Sequence, residues 1–185
     1  MISTNDMRPG QTLELGGTLF TIVNYQHVKP GKGQAFVKTK LKNVKTGAVI
    51  DRTFRADEKV NLAVVDKREM QYLYEDAAGL VFMDRESYEQ VHVDPELLGD
   101  ARRFLKDGTV AMVPTYEGMP IGAELPTTMV LQITETEPGL KGDRVSGALK
   151  PATVETGAVV QVPLFLEKGD SIKVDTRSGG YLSRA

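Results

Sequence analysis

The chain has 185 residues, of which 41% are apolar and 26% are charged, and its formal net charge is −2. This length is enough for one or several small cores, at about 100 to 200 residues per domain. Because the chain has no cysteine, disulfides, thiolate zinc sites and cysteine nucleophiles are excluded, and His27 and His92 are too isolated to form a metal-ligand motif. The chain has neither an apolar run of about 18 residues nor a secretory signal, which predicts a cytoplasmic protein with no membrane partner.

Charge is distributed unevenly along the chain. Residues 1–64 carry a net charge of +5, residues 65–126 a net charge of −7 and residues 127–185 a net charge of 0. Within the first segment, residues 29–45 contain six lysines and no carboxylate. Such a patch of one sign indicates a polyanionic partner, although a basic run can also be the solvated face of a strand.

Short runs of alternating apolar and polar residues, separated by turn residues, make up most of the sequence. Near the N-terminus, Gly16 and Gly17 separate two such runs, which predicts a β-hairpin. Later turn signals lie between runs rich in Val, Ile, Leu and Thr, so we expect an all-β fold of small antiparallel barrels. The charge changes place domain boundaries near 64/65 and 126/127, which gives three domains, 1–64, 65–126 and 127–185.

Lys32 lies between Gly31 and Gly33, and alternating runs precede and follow it. This pattern places Lys32 at the tip of a hairpin, where the two glycines permit backbone angles that other residues resist. The segment does not match a phosphate-binding loop, because it lacks the Gly-Lys-Ser/Thr ending and no helical pattern follows it. We therefore expect the ammonium group of Lys32 to be exposed and to project furthest from the loop.

One segment, "DPELLGDARRFLKDG", departs from the strand pattern. Asp94 is a suitable N-cap, Pro95 suits the first helical position, and Gly108 follows the last apolar residue of the stripe. The segment predicts one short helix.

The segment "KPGKGQAFVKTKLKNVKTG" resembles the tip hairpin of the bacterial elongation factor P family. The resemblance continues through "QYLYED", "VFMDRESYEQ" and "PGLKGDRVSG", and it ends with "KPATVETGAVVQVPLFLEKGDSIKVDTRSGGYLSRA". It covers essentially the whole chain. The resemblance implies an L-shaped, all-β protein with an SH3-like N-terminal barrel followed by two OB-like barrels.

For function, the resemblance implies a non-enzymatic translation factor that binds the ribosome between the peptidyl-tRNA and exit sites and relieves stalling at consecutive prolines. Lys32 would be the working tip, and in many family members a modifying enzyme extends this lysine; no other cofactor and no metal are expected. Peptidyl-tRNA and rRNA would be the RNA partners, with the L1 stalk protein beside the acidic middle domain. The residues expected to bind RNA are Lys29, Pro30, Gly31, Gly33, Lys40, Lys42, Lys45, Gly142, Asp143, Arg144, Tyr181 and Arg184.

Arg144 departs from the family pattern, which commonly has Gly-Asp-Thr where this chain has Gly142-Asp143-Arg144. The longer side chain either adds a phosphate contact or points to solvent. Two alternatives to the leading interpretation are an elongation-factor-P-like paralogue and a general OB-fold RNA-binding protein. The second is disfavoured because only 6% of the residues are aromatic and tryptophan is absent, whereas such proteins stack bases on exposed aromatic rings.

Overall fold

The structure is a computed structural model of the chain, and it describes residues 1–139 and 147–185. The described residues fold mainly into antiparallel strands, which confirms the all-β prediction. The strands are β1 Ile2–Ser3, β2 Thr12–Leu15, β3 Thr18–Val28, β4 Phe36–Asn43, β5 Val49–Arg55, β6 Lys59–Ala63, β7 Asp66–Asp76, β8 Gly79–Asp84, β9 Gln90–Val93, β10 Val110–Tyr116, β11 Met119–Pro120, β12 Thr128–Thr136, β13 Leu149–Val154, β14 Val159–Pro163, β15 Ser171–Asp175 and β16 Tyr181–Arg184.

These strands form sheets with the orders β1-β6-β2-β3-β4-β5, β11-β10-β7-β8-β9 and β14-β13-β12-β15-β16. The chain also groups into two compact units. The first unit comprises Met1–Arg68 and Val113–Ala123, and the second comprises Glu69–Met112 and Glu124–Ala185. Two of the three unit boundaries fall inside β7 and β10, so each of these strands carries residues of both units. The three domains at 1–64, 65–126 and 127–185 stay a prediction.

The N-terminal sheet is built around the β2–β3 hairpin that the sequence predicts. Gly16 and Gly17 form the turn with φ values of 57° and 79°, the left-handed angles that a type I′ turn requires at both central residues. The pairing of Leu15 with Thr18 closes this turn. The inward side chains of the sheet pack with Met7, which precedes β2, into one apolar cluster. The cluster consists of Met7, Leu13, Ile22, Val37, Leu41, Phe54 and Val60.

Strand β4 shows the period of two most clearly. Val37, Thr39 and Leu41 are buried, whereas the lysines between them are exposed. Successive side chains of a strand point to opposite faces, so the apolar side chains enter the core and the lysines share the outer face. β4 lies between β3 and β5, and this central place in the three-strand ribbon fixes both faces.

In the second unit, β8 lies between β7 and β9 and is buried along most of its length. The rings of Tyr72 on β7 and Phe82 on β8 lie with their centroids 5.4 Å apart. A separate core under β12 to β16 consists of Phe104, Met129, Leu131, Ile133, Ala152, Val154, Ala158, Val160, Val162, Leu166, Ile172 and Val174.

The predicted helix is present as the 3-10 helix Pro95–Phe104. The Asp94 carboxylate accepts a hydrogen bond from the Glu96 backbone N–H at 3.0 Å, as an N-cap does, and Pro95 opens the helix. Gly99, with φ of 56° and ψ of −138°, interrupts the helix, and Leu105 ends it in extended conformation, so Gly108 is not its cap. Among the described residues, no helix is long and apolar enough to cross a membrane.

Candidate nucleic-acid interface

The loop that carries Lys32 connects β3 and β4, whose last pair is Val28 with Phe36. Lys29, Pro30 and Lys32 are exposed, as the hairpin prediction expects. Gly33 has a φ of 108°, an angle that L side chains rarely adopt, and its absent Cβ would lie 3.9 Å from Pro30 Cγ, an ordinary contact. The turn therefore requires glycine at position 33 for its backbone angle and not for lack of space.

Gly31 differs from Gly33, contrary to the expectation that both glycines provide unusual backbone angles. Its φ lies outside the left-handed region, and a Cβ there would meet nothing within 4 Å. The backbone at position 31 therefore accepts a side chain. What glycine provides at position 31 is a bare backbone that a partner can approach closely.

The base of the loop is held by the sheet. The backbone N–H of Ala56 donates to the Ala35 oxygen at 3.0 Å, and the pair Val37 and Phe54 is fully or almost fully buried just below. Both ends of the loop that carries Lys32 are therefore anchored on a packed part of the sheet.

The lysines of residues 29–45 present free cations. All six are exposed, and within the described ranges 1–139 and 147–185 none of their ammonium groups forms an ion pair. Lys40 and Lys42 lie on the outer face of β4, whereas Lys45 lies in the β4–β5 turn, where its backbone N–H donates to Asn43 Oδ1 at 2.8 Å. The Nζ of Lys38 lies 5.7 Å from the centroid of the Phe36 ring, which is a cation–π contact. Unpaired ammonium groups can bind phosphates without first breaking an internal ion pair.

One arginine of β5, Arg55, extends this basic surface and was not among the residues expected to bind RNA. It is exposed and pairs with Phe36 at the base of the tip loop. Arg52 pairs with Thr39 and therefore lies on the opposite face with Phe54, where its guanidinium is 5.1 Å from the centroid of the Phe54 ring. The place of Arg55 opposite β4 depends on the strand register, and Asp57 and Glu58 nearby in the sequence hide it from a search for acid-free runs.

A shallow groove of about 410 Å³ lies on the β3–β4–β5 ribbon. Its lining residues carry amide, ammonium, hydroxyl, guanidinium and carboxylate groups as well as apolar side-chain stems. The lining residues are Asn24, Gln26, Lys38, Thr39, Lys40, Asp51, Arg52 and Thr53.

The expected C-terminal RNA-binding residues belong to the second unit. Tyr181 is half-buried and packs against the apolar core under β12 to β16, so only part of its ring is available for stacking. Arg184 is exposed, and its Nη2 lies 2.8 Å from Asp170 Oδ1. The expected RNA-binding residues Gly142, Asp143 and Arg144 lie outside the described residues.

Within the acidic segment, residues 65–126, several charged side chains form ion pairs with one another. Arg85 forms an ion pair with Glu69 at 3.1 Å, and Arg102 forms one with Glu75. His92 Nε2 lies 3.0 Å from Asp76 Oδ2, and this hydrogen bond, followed by the one from the Ala78 N–H, lowers the pKa of the Asp76 carboxyl. Among the described residues, no group of three or more His, Asp or Glu side chains is arranged to hold a metal ion.

Comparisons with known proteins agree along the whole chain. Residues 3–60 match the model of the elongation factor P KOW-like domain, residues 65–123 match the elongation factor P OB domain, and residues 129–184 match the elongation factor P C-terminal domain. The chain belongs to the elongation factor P family. The family resemblance seen in the sequence is thus confirmed.

Two relatives of the elongation factor P family illustrate the similarity. The chain is 57% identical to elongation factor P of Moorella thermoacetica over 185 residues, with 100% of both chains covered. It is 58% identical to elongation factor P of Beutenbergia cavernae over 184 residues, with 100% of this chain and 99% of the relative covered.

Among solved structures, the chain resembles eukaryotic translation initiation factor 5A from Methanococcus jannaschii. The TM-score is 0.57 at 19% identity, and the match covers 67% of this chain and 91% of the other. At this identity the likeness concerns the fold alone. It agrees with the KOW-like and OB domains of the elongation factor P family.

Proposed function

We propose that the chain is a translation elongation factor that binds the ribosome beside the peptidyl-tRNA, positions that tRNA for peptide-bond formation and so relieves stalling at consecutive prolines. The observation that carries the proposal is the exposed Lys32 at the end of a hairpin whose base is packed into the N-terminal core. Family membership over the full length supports the translational role.

The mechanism is one of positioning and needs no general base from the factor. Proline is a poor nucleophile and restrains the nascent chain, so two consecutive prolines leave the reacting groups badly oriented. Holding reacting groups in a productive geometry removes an entropic barrier, and effective molarities in well-oriented systems reach about 10⁵ M or more. In this mechanism Lys32 and the backbone at Gly31 approach the acceptor end of the tRNA, and the lysines of β4 bind phosphates.

Lys32 is also the proposed site of a covalent addition made by a lysine-modifying enzyme. Its side chain is exposed in a loop, so an enzyme can reach it without unfolding the sheet. An addition would extend the reach of the tip. We expect the intact mass of the protein from its own host to exceed the sequence mass, with the difference mapping to a peptide that contains Lys32; an unmodified peptide at full occupancy would contradict this part of the proposal.

The remaining partners follow from charge. The net charge of −7 in residues 65–126 repels RNA phosphates and favours a basic ribosomal protein as neighbour, for which we propose the L1 stalk protein. Translation places the proposed site of action in the cytoplasm, and rRNA would contact the basic N-terminal surface.

The test is a reconstituted translation system that compares a message with three consecutive prolines to a proline-free message. Lys32→Ala should abolish most of the stimulation on the first message and leave the second unchanged, at saturating factor. Lys32→Arg keeps the charge but changes the head group, so it should also be impaired. Lys168→Ala removes an exposed lysine of the second unit and is the matched control. Equal stimulation by wild type and Lys32→Ala would overturn the proposal.

A further inference from the structure

A short 3-10 turn near the N-terminus, Thr4–Asp6, is fastened to the turn that connects β5 and β6, residues 55–58. Thr4 is fully buried. Its hydroxyl donates to the Arg55 oxygen at 2.8 Å, and its backbone N–H donates to the Glu58 oxygen, also at 2.8 Å. The N-terminal turn therefore holds the β5–β6 turn at both of its ends, and we call the two turns together the brace.

The brace is bonded to both arms of the hairpin that carries Lys32. On the outgoing arm, the backbone N–H of Ala56 donates to the Ala35 oxygen at 3.0 Å, just before β4 begins. On the incoming arm, the hydroxyl of Tyr25 on β3 donates to the backbone oxygen of Asn5 at 3.2 Å. The ring of Tyr25 also packs against the apolar core of the N-terminal sheet. The brace thus links the strand that enters the tip loop to the residue at the exit of the loop.

Two unfavourable features coincide where the turns of the brace meet. Asp57 has a φ of 64°, a left-handed angle that is uncommon for residues other than glycine. Asn5 donates through Nδ2 to Asp57 Oδ1, and its own Oδ1 is buried without a hydrogen-bond partner within residues 1–139 and 147–185. Both features cost folding free energy. Backbone strain of this kind persists where the surrounding structure imposes it, and it is concentrated at functional sites.

We propose that Asn5 and Asp57 are positioning residues, which act through the brace to fix both ends of the tip loop and thereby the place of the Lys32 ammonium group. The inference rests on the proposed function, and it adds two residues that lie outside the tip loop and carry no positive charge.

The physical reason is the position of Asp57 within its turn. Thr4 holds the two ends of the turn, whereas the side chain of Asn5 holds its middle through Asp57. Ala56 is the chain neighbour of Asp57, so loss of the Asn5–Asp57 hydrogen bond loosens the backbone that holds Ala35. Catalysis by positioning is steeply sensitive to distance, and a displacement of about 1 Å can cost a factor of about 100 in rate.

The experiment measures the rate of translation through three consecutive prolines against the concentration of the full-length factor. Asn5→Ala deletes the donor, and Asp57→Gly deletes the acceptor but keeps the left-handed angle accessible. Both variants should lower the rate at saturating factor about tenfold. The concentration that gives half-maximal stimulation should change by less than about twofold, because Lys32 and the other lysines of residues 29–45 are retained. A residue that only stabilises the fold would leave the rate at saturation unchanged.

Two further variants serve as controls. Asp57→Asn is the conservative variant, because asparagine tolerates the left-handed angle and its Oδ1 can accept from Asn5. It should keep the wild-type rate to within about twofold. Glu117→Gly is the matched control, since it removes another exposed acidic residue with a positive φ, here 50°, from the β10–β11 turn of the same unit. Its rate should equal that of wild type.

Hydrogen exchange and chemical shifts report the loop itself, without ribosomes. In Asn5→Ala and Asp57→Gly the Ala56 amide should exchange about tenfold faster or more, because its bond to the Ala35 oxygen opens more often. The Lys32 resonances should also shift in these two variants. Asp57→Asn and Glu117→Gly should match wild type in both measurements.

Lys32→Ala is assayed in parallel, so that the two proposals fail separately. Wild-type rates in Asn5→Ala and Asp57→Gly, beside a collapse in Lys32→Ala, would overturn the inference and leave the proposed function intact. Equal losses in Asp57→Gly and Asp57→Asn would also overturn it, because the second variant keeps the acceptor. Full stimulation by Lys32→Ala would overturn the proposed function, and the exchange of Ala56 would then decide whether the brace fixes the loop.

Discussion

Gly33 and Gly31 flank the same lysine, yet their backbone conformations differ. Gly33 has a φ of 108°, which costs an L residue about 1 kcal/mol or more, whereas Gly31 has no such angle and open space at its Cβ. Gly33→Ala should therefore shift the tip loop and reduce stimulation on the polyproline message. Gly31→Ala should keep the loop conformation, which chemical shifts of Lys32 can report in both variants. Identical spectra for the two variants would contradict the role given to φ at position 33.

The two glycines show which properties of a single residue a sequence pattern predicts and which it does not. The exposed position of Lys32 follows from the pattern, because a charged residue between turn glycines and alternating runs has few other places in a hairpin. The separate roles of the glycines do not follow, since φ depends on how the loop closes over Pro30. Arg55 was missed for a related reason, because its place opposite Phe36 is a property of the β4–β5 register.

Asp76 gives a pH-dependent test at the residue scale. Its carboxyl pKa is lowered first by the hydrogen bond to His92 and then by the Ala78 N–H, so the folded state holds the carboxylate more strongly than the unfolded state does. The stabilising contribution is present above the unfolded pKa and is lost as the pH falls through the lowered folded pKa. His92→Ala should raise the pKa of Asp76 towards its ordinary value, measured by NMR titration of the carboxyl carbon. His27→Ala is the control, and an unchanged Asp76 titration in His92→Ala would refute the assignment.

At the scale of elements, the sequence predicts the alternating run that forms β4, and the structure shows which face is buried. Val37, Thr39 and Leu41 face the core because the strand lies between two neighbours and has one buried side. The 3-10 helix was harder to predict in detail. Its capping by Asp94 and its start at Pro95 depend on local chemistry that the sequence displays. Its break at Gly99 and its end at Leu105 depend on packing, since Leu98 and Phe104 must both reach buried positions.

The β8–β9 pairing depends on a glycine that is required for two reasons. Gly79 has a φ of 134°, and a Cβ there would lie 2.8 Å from the backbone oxygen of Val93. Gly79→Ala should lower the free energy of unfolding by about 2 kcal/mol or more, because backbone strain and overpacking add. Gly108→Ala is the matched control, with a φ of 82° but only a 3.7 Å approach to Gln71, and should cost about 1 kcal/mol. The measurement is denaturant unfolding of both variants. Equal losses of stability in Gly79→Ala and Gly108→Ala would show that the close approach to the Val93 oxygen does not contribute to the cost.

At the scale of the whole molecule, a net charge of −2 would make the chain a poor ligand for RNA if its charges were spread evenly. The segregation into segments of +5, −7 and 0 changes this, because electrostatic attraction acts over about 8 Å at physiological salt and a local patch outweighs the total. The lysines of residues 29–45 should therefore set the salt dependence of ribosome binding. Total charge should matter much less.

Two variants that lose the same charge test this distribution. Lys40→Ala with Lys42→Ala removes two cations from the outer face of β4, and Lys168→Ala with Lys173→Ala removes two exposed cations from the second unit. The first pair should weaken ribosome binding and reduce the salt slope by about 0.9 for each phosphate that is no longer neutralised, whereas the second pair should leave the slope unchanged. Sedimentation with ribosomes across a salt series measures both. Because both variants have the same net charge, equal slopes would mean that the basic face of β4 is only solvated and that its position in the fold confers no preference for RNA.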